Sequence, residues 1–295
     1  MTTITDIAKA LADDSPPERL AEMTDSVLER RYIGASSIGH PCERSVALRL
    51  RGYPTDTIPP SKQRIFDAGH LFEELAVREL RRALEGSGCE LVGTGDILTE
   101  QVTYRYYGKV CRAHSDGVII HPDKKKTLVE IKSANDDSFQ ITKRLGVRVA
   151  HQEYYDQMIL MMGLGEMHEG LFYMINKDNS KTYVEVIQFD EVIFNYLKAR
   201  IEYIAAGQDE KIASSPSDWR CGLCNYKQVC WYGHQVPKDH ITCRHCRWSQ
   251  VTDKPNEFAF CTHPDVKLRS IPWVNEKDLH QCASRCFSFT DRSID

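Results

Sequence analysis

The sequence predicts a mixed α/β core, a central mixed sheet flanked by helices, followed by a small cysteine-rich module at the C-terminus. Three observations predict it. Apolar residues between 64 and 84 recur at helical spacing, and β-branched and tyrosine residues are then frequent from 90 to 132. Helix and strand patterns alternate from 136 to 206. Eight of the 11 cysteines follow Arg220, so the last quarter of the chain is built differently from the rest.

Residues 3–12 and 17–31 read as short helices around Ser15-Pro16-Pro17, and Ser36 to Cys42 as a turn-rich loop. Glu43 to Arg51 reads as a helix, and Pro54, Pro59 and Pro60 mark a loop. From Arg64 to Leu84, Phe66, Leu71, Phe72, Leu75, Ala76, Leu80 and Leu84 form one helical face, which Gly86 and Gly88 end. Strands are expected near 102–107, 112–120 and 126–132, with a hairpin turn at His121-Pro122-Asp123. Helices over 136–145 and 151–163, strands near 169–176 and 181–188, and a helix over 190–206 complete the core.

With 295 residues, 41% of them hydrophobic and 27% charged, the chain is long enough to bury a real core. No apolar run approaches the roughly 20 residues of a membrane helix. Met1 to Ala12 lacks the basic-then-apolar layout of a secretion signal, so a cytoplasmic protein is expected. The net charge of −4 argues against a protein that coats nucleic acid in bulk, but not against a site touching a few phosphates.

Side chains alternate along a strand. In Val129-Glu130-Ile131-Lys132, Glu130 and Lys132 therefore share one face while Val129 and Ile131 point to the core. In His114-Ser115-Asp116-Gly117, His114 and Asp116 share a face, and the hairpin turn can bring Asp116 beside Glu130. Two adjacent carboxylates repel unless neutralised, and a hard divalent cation neutralises them through oxygen ligands. A lysine beside them stabilises charge on an attacked phosphate. Taken alone, Glu-x-Lys on a strand is an ordinary solvated pair. On the preceding helix, Glu74 has Arg78 at i+4 and Arg81 at i+7, so it belongs to the solvated face. Glu73 has Ala76, Val77 and Leu80 on its side and needs a partner there, either a metal or a core cation. Gln157 lies among Tyr154, Met158 and Met161, suited to a phosphate, a nucleotide edge or a backbone group.

In this order the residues resemble the PD-(D/E)XK nuclease superfamily, and within it the RecB-like exonucleases of phages and bacteria. The matching motifs are Gly69-x-x-x-Glu73, Asp116, Glu130-x-Lys132 and Gln157. Two positions depart from the pattern. The tyrosine that usually follows the glutamine by four residues is Met161, and Glu73 stands where RecB-like members often have histidine. The resemblance implies a DNA exonuclease in recombination or repair. Catalysis would fall to Glu73, Asp116, Glu130, Lys132 and Gln157, with Mg²⁺ or Mn²⁺ held by Glu73, Asp116 and Glu130. Lys62, Arg64, Lys143, Arg144 and Arg148 would guide the strand.

Cys221, Cys224 and Cys230 have the spacing C-x2-C-x5-C, and Cys42 stands far upstream. This pattern resembles the iron–sulfur RecB-like nucleases, the CRISPR-associated exonuclease and AddB nuclease-domain type, over residues 33–232. The resemblance implies a 4Fe–4S cluster on Cys42, Cys221, Cys224 and Cys230. A second set then remains for Zn²⁺: Cys243, Cys246, Cys261 and one of Cys282 or Cys286, with His263 a possible substitute. The rival is a zinc ribbon on Cys221, Cys224, Cys243 and Cys246, which leaves Cys42 and Cys230 unexplained. Cys89 and Cys111 read as plain buried cysteines. The expected division is an iron–sulfur nuclease domain over 1–237 and a zinc-binding module over 238–295. The implied partners are DNA, single-stranded or at its ends, and a recombination or helicase protein. The competing expectation is a non-catalytic, metal-stabilised subunit that binds DNA or acts as a scaffold on a degenerate nuclease fold.

Overall fold

The computed structural model describes residues 3–14, 32–53, 55–56, 58–96, 98–108, 110–222 and 224–233, and short strands at 249–251, 257–261 and 273–275. In chain order these hold α1 (Ile4–Ala12), β1 (Ile33–Gly34), α2 (Ala35–Ile38), α3 (Glu43–Arg51) and α4 (Pro60–Leu84). Then come β2 (Glu90–Val92), β3 (Thr103–Tyr106), β4 (Cys111–His114), β5 (Gly117–Ile120) and β6 (Lys126–Ala134). Next are α5 (Asp136–Leu145), α6 (Val147–Ala150), α7 (Gln152–Leu164), β7 (Glu169–Asn176), β8 (Thr182–Gln188) and α8 (Glu191–Ala205). Short helices α9 (Trp219–Gly222) and α10 (Lys227–Tyr232) follow, then β9 (Ser249–Val251), β10 (Glu257–Cys261) and β11 (Trp273–Asn275). The helix expected at 17–31 lies outside the described residues.

The central sheet has the order β2-β5-β6-β7-β8. It is mixed: β6 runs parallel to β7, and the other neighbours are antiparallel. A parallel pair needs a crossover, and α5, α6 and α7 supply it. One face of the sheet packs Leu91, Ile119, Val129, Ile131, Tyr173 and Ile175 against Ala76, Val77 and Leu80 of α4. The other face packs Leu128, Phe172 and Met174 against the methionine-rich α7 and the inner side of α8. The expected α/β core is thus observed. Among the described residues, no helix is long and apolar enough to cross a membrane.

Four sequence expectations are corrected. The strand expected over 112–120 is two strands. β4 pairs with β3 and β1 in a second sheet, while β5 joins the central one. The chain leaves the ladder at Ser115, whose N–H donates to Val102 carbonyl oxygen at 3.3 Å. His114 therefore goes with the second sheet, 3.1 Å from Thr103 Oγ1, and does not share a face with Asp116. The long helix also starts earlier than expected, because Pro60 sits in its first turn, where a missing N–H costs nothing. Residues 63–67 of its first turns are all exposed, Phe66 (46%) among them, and Leu71 (66%) faces outward beside Phe72, which packs on the core, so neither joins the core face.

Beyond residue 233, β9, β10 and β11 form a small antiparallel sheet in the order β11-β10-β9. Cys243, Cys246, Cys282, Cys286 and His263 lie outside the described residues, and Cys261 is placed in β10 by its backbone alone.

Candidate active site

β5 begins at Gly117 opposite Val129, so β6 runs on past it with β7 as its continuing partner. The N–H of Ile131 is left without a ladder partner on the β5 side. Asp116 fills that gap: its Oδ2 accepts from Ile131 N–H at 2.7 Å. This short-range repair places the Asp116 carboxylate beside Glu130 and Lys132.

Glu130 is fully buried. Its Oε1 accepts from Lys132 Nζ, and from Gln157 Nε2 at 2.7 Å. Glu130 Oε2 and Gln157 Oε1 are buried with no hydrogen-bond partner among the described residues. A buried charged oxygen without a partner is costly. α7 carries Gln157 and, one turn before it, Tyr154, whose ring lies 5.3 Å from Lys132 Nζ. From the other side, α4 brings Glu73, half-buried and 3.7 Å from His70 Nδ1, while Glu74 is exposed.

The electrostatics show that these groups feel one another. Burial raises the Glu130 carboxyl to about 8, the Asp116 charge adds to it, and Lys132 opposes. Burial also raises Asp116, against the pull of Lys132 and the Ile131 N–H. Glu73 is raised by burial and then by Asp116, with His70 and Lys132 pulling it down. For Lys132, burial disfavours the charge, but Glu130 and Asp116 outweigh it and hold the ammonium protonated. Three carboxyls raised together around one lysine are a site short of positive charge.

The structure thus brings together all five residues singled out from the sequence: Glu73, Asp116, Glu130, Lys132 and Gln157. Sequence reasoning missed His70 and Tyr154. The signal was present, since each stands three residues before a chosen residue on the same helix face. Met161, the departure from the tyrosine pattern, is fully buried in the core. An open cleft of about 890 Å³ adjoins Glu73 and is walled by His70, Arg78, Arg81 and the loop Thr94 to Leu98. Arg81 is tied to Asp96 at 2.6 Å and so is not the partner of Glu74. Of the bases expected to guide a strand, Arg64 pairs with Asp14 and Arg148 with Asp190, while Lys62 donates to Asn225.

Cys42, Cys221, Cys224 and Cys230 line one small pocket together with His40, Arg44, Lys211 and Arg220. None of the four is in a disulfide. Burial raises Cys224 and Cys230, and at Cys230 the Lys211 and Arg44 charges act against it. Cys111 is buried in the main core, and Cys89 is half-buried with its Sγ 3.6 Å from His121 Nδ1. Among the described residues, no group of three or more His, Cys, Asp or Glu side chains is arranged as it stands to hold a metal ion.

No protein-family model matches the chain, and no curated protein matches it. Solved structures resemble it in shape. The alkaline exonuclease LHK-Exo of Laribacter hongkongensis matches with a TM-score of 0.44 at 18% identity, over 63% of this chain and 92% of that one. Its complex with dAMP matches with a TM-score of 0.46 at 16% identity, over the same shares. A phage-related exonuclease of Haemophilus somnus matches with a TM-score of 0.37 at 16% identity, over 59% of this chain and 91% of that one.

Proposed function

We propose that the chain is a divalent-metal-dependent deoxyribonuclease that hydrolyses phosphodiester bonds at DNA ends, in phage or bacterial recombination or repair. The observation that carries this reading is the Glu130 carboxylate: fully buried, with Oε2 unpartnered, beside Asp116 and Lys132. A buried carboxylate oxygen with no donor fits a cation. Glu73, Asp116 and Glu130 would hold one or two Mg²⁺ or Mn²⁺ ions. Such ions supply Lewis-acid charge to the phosphate and lower the pKa of a bound water.

The chain's own residues do the rest. Gln157 and Lys132 both bind Oε1 of Glu130, which fixes the carboxylate plane and leaves Oε2 free to act. Lys132 stays protonated and reaches toward Tyr154, so its ammonium can meet a phosphoryl oxygen as negative charge builds there. Asp116 is held by a backbone N–H, which sets its orientation without spending a second side chain.

The test is degradation of end-labelled single- and double-stranded DNA with Mg²⁺ or Mn²⁺, against EDTA. Hydrolysis that EDTA leaves untouched would refute the reading. On the α4 face, Glu73→Ala should weaken metal binding and cleavage by about tenfold or more, while Glu74→Ala changes little. Equal effects from the two would remove Glu73 as a ligand.

The pH dependence follows from Glu130. Its folded pKa lies above the ordinary carboxylate value of 4.5, near 8. The metal-free fold is therefore favoured at low pH and loses stability as the pH rises between those values. A cation must displace that proton. Its affinity should climb by about tenfold per pH unit below pH 8 and then level off. Calorimetric Mn²⁺ titrations from pH 6 to 9 check this, and a flat profile would contradict it.

The four-cysteine pocket supports a 4Fe–4S cluster on Cys42, Cys221, Cys224 and Cys230. Four thiolates are what such a cluster takes, and Lys211, over the Trp231 ring, lines the same pocket. The zinc-ribbon rival would group Cys221 and Cys224 without Cys42 and Cys230, which share their pocket. Zn²⁺ is assigned to Cys243, Cys246, Cys261 and one of Cys282 or Cys286, in a module over 238–295. A helicase or recombination protein is the natural partner of such an enzyme. The second reading is a non-catalytic DNA-binding or scaffolding subunit. It is favoured by Met161, fully buried in the core, standing where the pattern has a tyrosine. The hydrolysis assay separates the two.

A further inference from the structure

The loop from Ile38 to Cys42 runs from the cysteine pocket to α7, the helix that carries Gln157. Arg200 of α8 is almost fully buried and spans this loop. Its Nη1 donates to Ile38 carbonyl oxygen and its Nη2 to His40 carbonyl oxygen, both at 2.6 Å, and its Nε lies 3.7 Å from Glu43 Oε1. His40 carries the clamp on to the cysteine: its Nδ1 accepts from Cys42 N–H at 3.1 Å.

The same loop lies directly on the first turn of α7. A Cβ at Gly39 would come 2.6 Å from Glu153 Cα and 3.2 Å from Glu153 carbonyl oxygen. Those atoms are helix backbone and cannot swing aside. Glu153 stands one turn before Gln157, whose amide holds Glu130 Oε1 at 2.7 Å.

We infer that Arg200 and Gly39 are positioning residues that lock the Cys42 loop onto α7 and thereby fix Gln157 against Glu130. The order of the cysteine pocket then sets the metal affinity of a site built from other elements. This rests on the nuclease reading. A loop pressed on a helix backbone without slack transmits a shift of a few tenths of an ångström, because packed interiors have no voids to absorb it. The coupling is reciprocal, so a cation at Glu130 also stabilises the loop that carries Cys42.

The test is Mn²⁺ titration, read by the electron paramagnetic resonance of the free ion, on the full chain. Gly39→Ala and Arg200→Lys are compared with Gly34→Ala and Gln157→Ala. Gly34 is a fair control because a Cβ there meets nothing closer than 3.6 Å. Lysine at 200 can bridge one carbonyl where arginine bridges two. Gly39→Ala and Arg200→Lys should each weaken Mn²⁺ about tenfold, as Gln157→Ala does, with iron content retained and Gly34→Ala unchanged. At saturating Mn²⁺ the cleavage rate should recover, which a general loss of fold would not allow. If Gly39→Ala does not fold, Arg200→Lys carries the test alone. Wild-type Mn²⁺ affinity in Gly39→Ala or Arg200→Lys, with Gln157→Ala weakened, overturns the coupling and leaves the nuclease reading standing. Wild-type affinity and hydrolysis in Gln157→Ala and Asp116→Ala overturn this site for the activity, and a wild-type chain that neither binds Mn²⁺ nor hydrolyses DNA overturns the nuclease reading itself.

Discussion

Asp116→Ala, Glu130→Gln and Lys132→Ala should each lower DNA hydrolysis by about 10³-fold, while the protein still folds. The substitutions act differently. Asp116→Ala removes a metal-holding carboxylate and leaves the Ile131 N–H without its acceptor. Lys132→Ala removes the cation that offsets three raised carboxyls. At Glu130 the choice of glutamine matters. Alanine there would leave both the Lys132 ammonium and the Gln157 amide without their shared acceptor, a loss of about 1–3 kcal/mol in stability. Glutamine keeps the shape and an acceptor oxygen and loses the charge. Circular dichroism melts would separate loss of chemistry from loss of fold. Cleavage within a few-fold of wild type in any of the three would end the assignment.

Cys42→Ser is expected to have the largest effect on stability. Cys42 and Cys221 are 179 positions apart, so a cluster bridging them closes almost the whole core into one loop. By the loop-entropy argument, a crosslink of that span is worth about 4–5 kcal/mol. The variant should lose its iron and its brown colour, and melt well below wild type. Cys243→Ser should keep the iron and lose zinc, because the two metal sets are separate. The ribbon rival makes the opposite forecast: zinc lost from Cys221 and Cys243 variants alike, and no colour. Protein purified under strict anaerobiosis that is colourless and free of iron would decide for the ribbon. The nuclease proposal would then stand on the carboxylates alone.

Local period alone determined a good deal here. Strand alternation put Glu130 and Lys132 on one face and Val129 and Ile131 in the core. The helical repeat separated half-buried Glu73 from exposed Glu74, and the hairpin turn brought Asp116 next to Glu130. These relations join residues within one element or across one turn, where covalent geometry fixes the answer. Tertiary packing alone decided the rest. It left Phe66 and Leu71 of α4 in water, and it split β4 from β5 at Ser115. It placed Tyr154 beside Lys132, Gly39 against Glu153, and Arg200 on carbonyls some 160 residues away. No periodicity spans such distances. They follow from which surfaces exclude water together, and from where a buried guanidinium finds the acceptors it must have.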